Sequence, residues 1–207
     1  MMRIPHLRRR GSFFATFENI MQTIYLKDFV KTGKFGSIVL GMTIDEVIEI
    51  LGTPEGITDY KNGHSEIIYA YYEFFYLSDK RILYGIQNDH LATFPNIKTG
   101  RVNNKNDICF ENGKFNIDIW FLKKNRFLTF KNVTDNLRKE NIEFELTKGF
   151  NDDNIIKFES GVTLDFDDLS GMTSYDPNTK DWTWAEKIVD DDMKILNGIR
   201  LYDLSLT

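Results

Sequence analysis

Apolar residues recur at helical spacing over one short stretch, Met42 to Leu51. Ile44, Val47, Ile48 and Leu51 fall at i, i+3, i+4 and i+7 and so share one helix face. Thr43 and Glu46 carry the spacing of a capping box, in which each side chain satisfies a free backbone donor at the helix start. Met42 stands where a hydrophobic staple to Val47 begins. Gly52 supplies an exit and Pro54 blocks continuation, so the pattern predicts a short amphipathic helix.

After this helix the pattern changes to strands. Asn62-Gly63 signals a hairpin turn, and Ile67 to Leu77 is apolar or aromatic throughout except Glu73. That run reads as one long strand, either buried in a sheet centre or forming half of an exposed tyrosine-rich patch. Ile82 to Gln87 reads as the next strand, with Gly85 marking a bulge or a close approach. Phe94 to Asp107 reads as loop, and Ile108–Phe110 with Phe115–Leu122 as a hairpin across Asn112-Gly113.

The second half repeats the pattern at a constant offset of 86 residues. Leu128-Thr129-Phe130, Val133 and Leu137 stand where Met42-Thr43-Ile44, Val47 and Leu51 stood, although Asn132 replaces the capping Glu46. Strands are expected again at Ile142–Leu146, Ile155–Phe158 and Val162–Phe166. Trp182 and Trp184 alternate as on a strand, and Ile195, Ile199, Leu201 and Leu204 would cover the sheet or add an edge strand. The expected fold is α+β: antiparallel sheets with short helices on one face, arranged as a tandem α-β-β-β duplication. The expected organisation is a leader at 1–20, a first unit at 21–121 and a second at 122–207. The basic opening segment with Arg3 and Arg8 to Arg10 is too interrupted for a secretory signal, and no run is long enough for a membrane helix. A cytoplasmic chain is expected.

Composition narrows the function classes. With 26 Lys+Arg against 31 Asp+Glu among 207 residues, the formal charge is −5, which excludes bulk basicity as a handle on nucleic acid. The imbalance lies in residues 151–207, where 13 acids meet 5 bases, a net of −8, leaving +3 for the first 150. One cysteine, Cys109, forms no internal disulfide and no thiolate zinc site, and on its apolar strand it reads as a small buried hydrophobe. His6, His64 and His90 are far apart in sequence. The run from Asp165 to Gly171 departs from a calcium loop at Leu169 and Ser170. Gly33 to Ser37 lacks phosphate-loop spacing and reads as a bend. No catalytic signature emerges; no cofactor, metal, membrane or nucleic acid is expected.

The segment Gly36-x-Ile38-x-Leu40-Gly41-Met42-Thr43-x-x-Glu46-Val47-x-x-x-Leu51-Gly52-x-Pro54, followed by the tyrosine-rich strand ending Phe74-Phe75-Tyr76, resembles the entry helix and sheet of a group of small bacterial proteins. The group spans outer-membrane assembly lipoproteins, β-lactamase-inhibitor-like modules and immunity proteins of polymorphic or contact-dependent toxin systems. The likeness covers about residues 33–87, with a fainter echo at 122–168. A lipobox-bearing signal is lacking, as are the cysteines of the secreted inhibitors, so the resemblance implies an immunity protein that occludes a toxin. The acidic clusters give the candidate contacts for a basic toxin domain: Asp165, Asp167, Asp168, Asp190, Asp191 and Asp192, with Tyr71, Tyr72, Trp182 and Trp184 as anchors. The alternatives are a solvated acidic surface, a self-associating module, or a hydrolase using His64, His90 and Cys109.

Overall fold

The computed structural model describes residues 21–89, 91, 111–121, 128–149, 152–167, 172–176, 178, 181–184 and 190–207, and for 172–176 and 181–184 the backbone alone. In chain order the elements are β1 (Gln22–Tyr25), α1 (Leu26–Thr32), α2 (Ile44–Leu51), β2 (Gly56–Asp59), β3 (His64–Tyr69), β4 (Tyr72–Leu77), β5 (Leu83–Asn88) and β6 (Phe115–Asp118). They continue as α3 (Phe130–Lys139), β7 (Glu145–Lys148), β8 (Asn154–Lys157), β9 (Thr163–Asp167), β10 (Met172–Asp176), β11 (Asp181–Trp184) and β12 (Ile195–Tyr202). The fold is α+β with a large antiparallel sheet.

That sheet has eight strands in the order β2-β3-β4-β5-β12-β9-β8-β7. Each half is a meander that follows a helix, and the halves meet where β5 pairs with β12, Leu201 opposite Ile86. The helix starts are tied to the sheet in the same way. Ile44 N donates to Arg81 O and Leu83 N to Met42 O, each at 2.8 Å; Phe130 N donates to Lys194 O and Leu196 N to Leu128 O, also at 2.8 Å. The helix start that recurs at an offset of 86 residues is thus tied to the sheet in the same way in each half, although the strand residues it meets, Arg81 and Leu83 against Lys194 and Leu196, lie 113 positions apart. The capping box of α2 forms as read: Glu46 N reaches Thr43 Oγ1 at 3.3 Å and Thr43 N reaches the Glu46 carboxylate at 2.8 Å. In α3 only half of it survives, Asn132 N donating to Thr129 Oγ1 at 3.2 Å.

Two sequence expectations need correction. The run Ile67–Leu77 is two strands, β3 and β4, folded back over Ala70 and Tyr71. Ala70 adopts φ +53°, a region that a side chain ordinarily disfavours, and its N–H is taken by the Glu55 carboxylate at 2.8 Å. A tertiary hydrogen bond, and no Gly or Asn, makes this turn. The last strand, β12, is central, because its Leu196, Ile199 and Leu201 face the core while β5 and β9 take both of its edges. Cys109, His90 and the first strand of the expected Asn112-Gly113 hairpin lie outside the described residues; β6 pairs parallel with β1.

α1, α2, α3 and the β1–β6 pair all pack on one face of the sheet, the near face. Phe29 and Phe35 meet at 5.5 Å, and Phe35 meets Tyr72 and Phe74 at 5.3 and 5.5 Å. Tyr69 contacts Phe115, and Phe130 from α3 packs on Phe166 at 5.0 Å. One continuous core runs through both halves. Each large side chain withdrawn from water there stabilises by about 1.5–3 kcal/mol before entropy is counted.

Candidate functional site

Strand alternation assigns every second residue to the opposite, far face, and there the chemistry differs. Across β3, β4, β5, β12 and β9 the paired registers place Glu66, Glu73, Phe75, Gln87, Arg200, Tyr202, Thr163, Asp165 and Asp167 on it, and Tyr84, the extra residue at the bulge opposite Phe75 and Tyr76, joins them through its ring contacts. These are rings, amides and charges where the near face has Ile67, Phe74, Ile86, Ile199 and Leu164.

At the seam of the halves lies a connected polar chain. Gln87 donates to Glu73 at 2.5 Å and to Asp89 at 3.2 Å, and accepts from the Tyr202 hydroxyl. Arg200 Nε donates to Asp89 at 3.0 Å and its Nη2 to Asp165 at 3.2 Å. Burial pushes the Asp165 carboxyl above the usual carboxylate range, against the pull of Arg200 and with the push of Asp89. Beside this chain is an aromatic panel: Phe75 and Tyr202 at 5.9 Å, Phe75 and Tyr84 at 6.3 Å, Tyr84 and Tyr202 at 6.4 Å. His64 Nδ1 meets the Tyr84 hydroxyl at 3.0 Å. Gly85 lets the Tyr202 ring lie against the β5 backbone, since a Cβ there would collide with that ring. The close approach read from Gly85 is therefore ring on backbone.

The charge of the face is acidic. Among the described residues between β3 and β9, Glu66, Glu73, Asp89, Asp165 and Asp167 share it with one guanidinium, Arg200. At the β9 end a cleft of about 330 Å³ is lined by Asp153, Asp165, Asp167, Asn197 and Arg200, among others. Glu66 stands apart. It is 4 % exposed, and its Oε2 is covered by protein with no hydrogen-bond partner among the described residues. Tyr60 lies near it; burial, and after it the Glu66 carboxylate, push the Tyr60 phenol up to about 12.

The structure disperses the contacts expected from sequence. Asp165 is ion-paired and mostly buried on the far face, and Asp167 is exposed at the end of β9. Asp190 caps the turn before β12 by accepting from Asp192 N at 3.0 Å. Asp191 is held by Asn154 at 2.7 Å and by Lys194 at 2.7 Å, and Lys194 also binds Asp153 at 2.6 Å. Lys194 thus joins Asp191 to Asp153, which is outside both expected groups, while Asp165 pairs with Arg200, so the two groups make no single acidic array. Tyr71 is exposed at the β3–β4 turn, whereas Tyr72 is 1 % exposed beneath Phe35 and is a core residue, which removes it as an anchor. Trp182 and Trp184 stand on β11, and Asp168 lies outside the described residues.

Glu66, Glu73, Gln87, Arg200 and Tyr202 were missed by the reading of the sequence. Glu73 alone showed as a charged interruption of the run Ile67–Leu77; the others come together only through strand pairings distant in sequence. For catalysis the described residues offer His64 in a hydrogen bond to a tyrosine, and they hold no group of His, Cys, Asp and Glu placed to bind a metal ion. No helix among them is long and apolar enough to cross a membrane. Compared with family models, with curated proteins and with solved structures, the chain matches none.

Proposed function

We propose that this chain is a non-enzymatic binding protein, an immunity protein that neutralises a cognate bacterial toxin by covering its active site or binding surface, with the far face of the sheet as the surface it uses. The observation that carries this reading is the contrast of faces. A sheet fully supported by helices on one side presents on the other an acidic, aromatic surface whose side chains are held by one another. Such pre-organisation lowers the entropy lost on docking, and tyrosine and arginine are the residue types that dominate binding hot spots. The sign of the charge favours a basic partner by steering and complementarity. A toxin that grips a polyanion needs a basic cleft, and that is the surface this face would fill.

The sequence resemblance to immunity proteins supports the same reading, and with it a cytoplasmic site of action, no cofactor, and two units at 21–121 and 122–207 joined through β5 and β12. The test is to mix the purified chain with the product of the neighbouring open reading frame and follow both complex formation and toxin activity. A stoichiometric complex that silences the toxin, and that Phe75→Asp abolishes while the variant stays folded, is the expected result. Retained inhibition by Phe75→Asp would count against the face. A mass that grows with concentration of the chain alone would favour self-pairing at the edge strands β2 and β7 instead.

A further inference from the structure

We infer that Glu66 and the rings around it form a receptor for one basic side chain, a lysine or arginine of the docked partner. The inference rests on the reading of the far face as a docking surface and adds the chemistry of its anchor. Buried carboxylates in folded proteins are ordinarily paired, because a charge withdrawn from water and left uncompensated costs several kcal/mol. Glu66 is on the central part of β3, 4 % exposed, with one carboxylate oxygen that has no partner among the described residues. Among those residues no lysine or arginine pairs with it: Arg81 is taken by Asp45 at 2.6 Å and Arg200 by Asp89 and Asp165. A buried polar atom without a partner in a free protein points to a group that arrives from outside.

The walls say what that group is. Phe75 stands directly across from Glu66 in the β3–β4 register, and Tyr84, whose phenol is raised first by burial and then by the Glu66 charge, adjoins Phe75 and Tyr202. Aromatic faces gathered around a carboxylate attract an ammonium or guanidinium through the ring quadrupole as well as the charge, and the attraction strengthens when water is excluded. The stem of a lysine or arginine would lie on the Phe75 ring while its head reaches Oε2.

Tyr60 is the movable part. It is 47 % exposed and lies near enough to the Glu66 carboxylate that, after burial, that carboxylate raises its phenol. Its backbone is fixed, Tyr60 N donating to His64 O at 3.1 Å and Lys61 N to Asp59 at 2.9 Å. Entry therefore requires a rotation of one half-exposed side chain, after which the phenol closes over the incoming stem.

The experiment is a titration of the isotope-labelled chain with an N-acetylated, C-amidated tetralysine peptide, read by amide shifts, with the same peptide acetylated on every lysine as neutral control. Saturable shifts centred on Glu66, Phe75 and Tyr84 are expected for the charged peptide and none for the control. Glu66→Gln should weaken binding about tenfold and Tyr60→Leu about threefold, with Asp167→Asn changing it by less than about twofold. Unaltered binding by a folded Glu66→Gln, shifts centred on Asp165 and Asp167 or on Asp190 to Asp192, or no shift at all would overturn the inference. Should Glu66→Gln not fold, Tyr60→Leu decides alone, because its side chain is half in solvent. The underlying reading fails separately: a toxin complex broken by Phe75→Asp but kept by Glu66→Gln removes only this receptor, whereas one kept by both removes the docking face as well.

Discussion

The near and far faces of one sheet are built from alternate residues of the same strands, yet they obey different rules. On β4, Phe74 points to the near face and is fully enclosed between Phe35 and Tyr69, whereas Phe75 points to the far face and joins a tilted panel with Tyr84 and Tyr202. On β3, Ile67 is core while its neighbour Glu66 is a buried carboxylate with one oxygen that has no partner among the described residues. The near face maximises apolar burial. The far face keeps polar groups where apolar ones would stabilise more, which is the pattern of a surface selected for something other than folding.

The largest break in this comparison is expected from adjacent phenylalanines. Phe74→Ala should lose about 3–5 kcal/mol in denaturant unfolding, because it leaves a cavity in the core, while Phe75→Ala should lose about 1 kcal/mol. Equal losses would mean that the far face is as structural as the near one.

Removing the Glu66 carboxylate should do the opposite. Glu66→Leu is expected to stabilise the free chain by about 1 kcal/mol, seen as a rise of about 2–4 °C in melting temperature, while abolishing capture of a basic peptide. A fall in melting temperature would show that Glu66 is satisfied after all.

Acid titration sharpens the contrast through two carboxylates. On the near side Glu140, held by Lys27 at 2.7 Å and by the Trp120 indole at 3.0 Å, is pulled below the usual range, chiefly by Lys27. Its stabilisation is present above the unfolded-state value near 4.5 and is lost as pH falls through the folded one. Asp165 on the far face is raised by burial, so its favourable contribution is full below about 3.8 and is lost as pH rises through its folded value. Glu140→Gln should therefore destabilise at pH 7, with the difference shrinking as pH falls below about 4.5. Asp165→Asn should stabilise slightly at pH 7, with the difference closing in acid. Thermal unfolding across pH 3–7 reads both.

The smallest effect concerns the turn that separates the two aromatic strands. Ala70→Gly should stabilise by a few tenths of a kcal/mol, since glycine adopts φ +53° without a Cβ clash. A loss instead would place Ala70 in a packing role.

Local rules made part of this molecule legible. Thr43, Glu46 and the apolar spacing behind them specify α2, and the same spacing 86 residues later specifies α3, because caps and periodicity act within a few residues. The break at Ala70 was not legible, since a carboxylate 15 residues away stabilises that turn. Nor was the central place of β12, which depends on pairing with β5 across more than 100 residues. The polar chain was hidden for the same reason: Tyr202 and Gln87 lie 115 positions apart, and Arg200 and Asp89 lie 111 apart. Conversely, the aspartate clusters were conspicuous in sequence, but the fold pairs Asp165 with Arg200 and Asp191 with Lys194.

Hydroxyl-radical footprinting of the chain, alone and in complex with the product of the neighbouring open reading frame, tests the central claim most directly. Tyr60, Phe75 and Tyr202 on the far face are predicted to become protected, while Tyr25 and Met193, exposed elsewhere, stay reactive. Protection of Tyr25 or Met193 with Phe75 and Tyr202 unchanged would contradict the account.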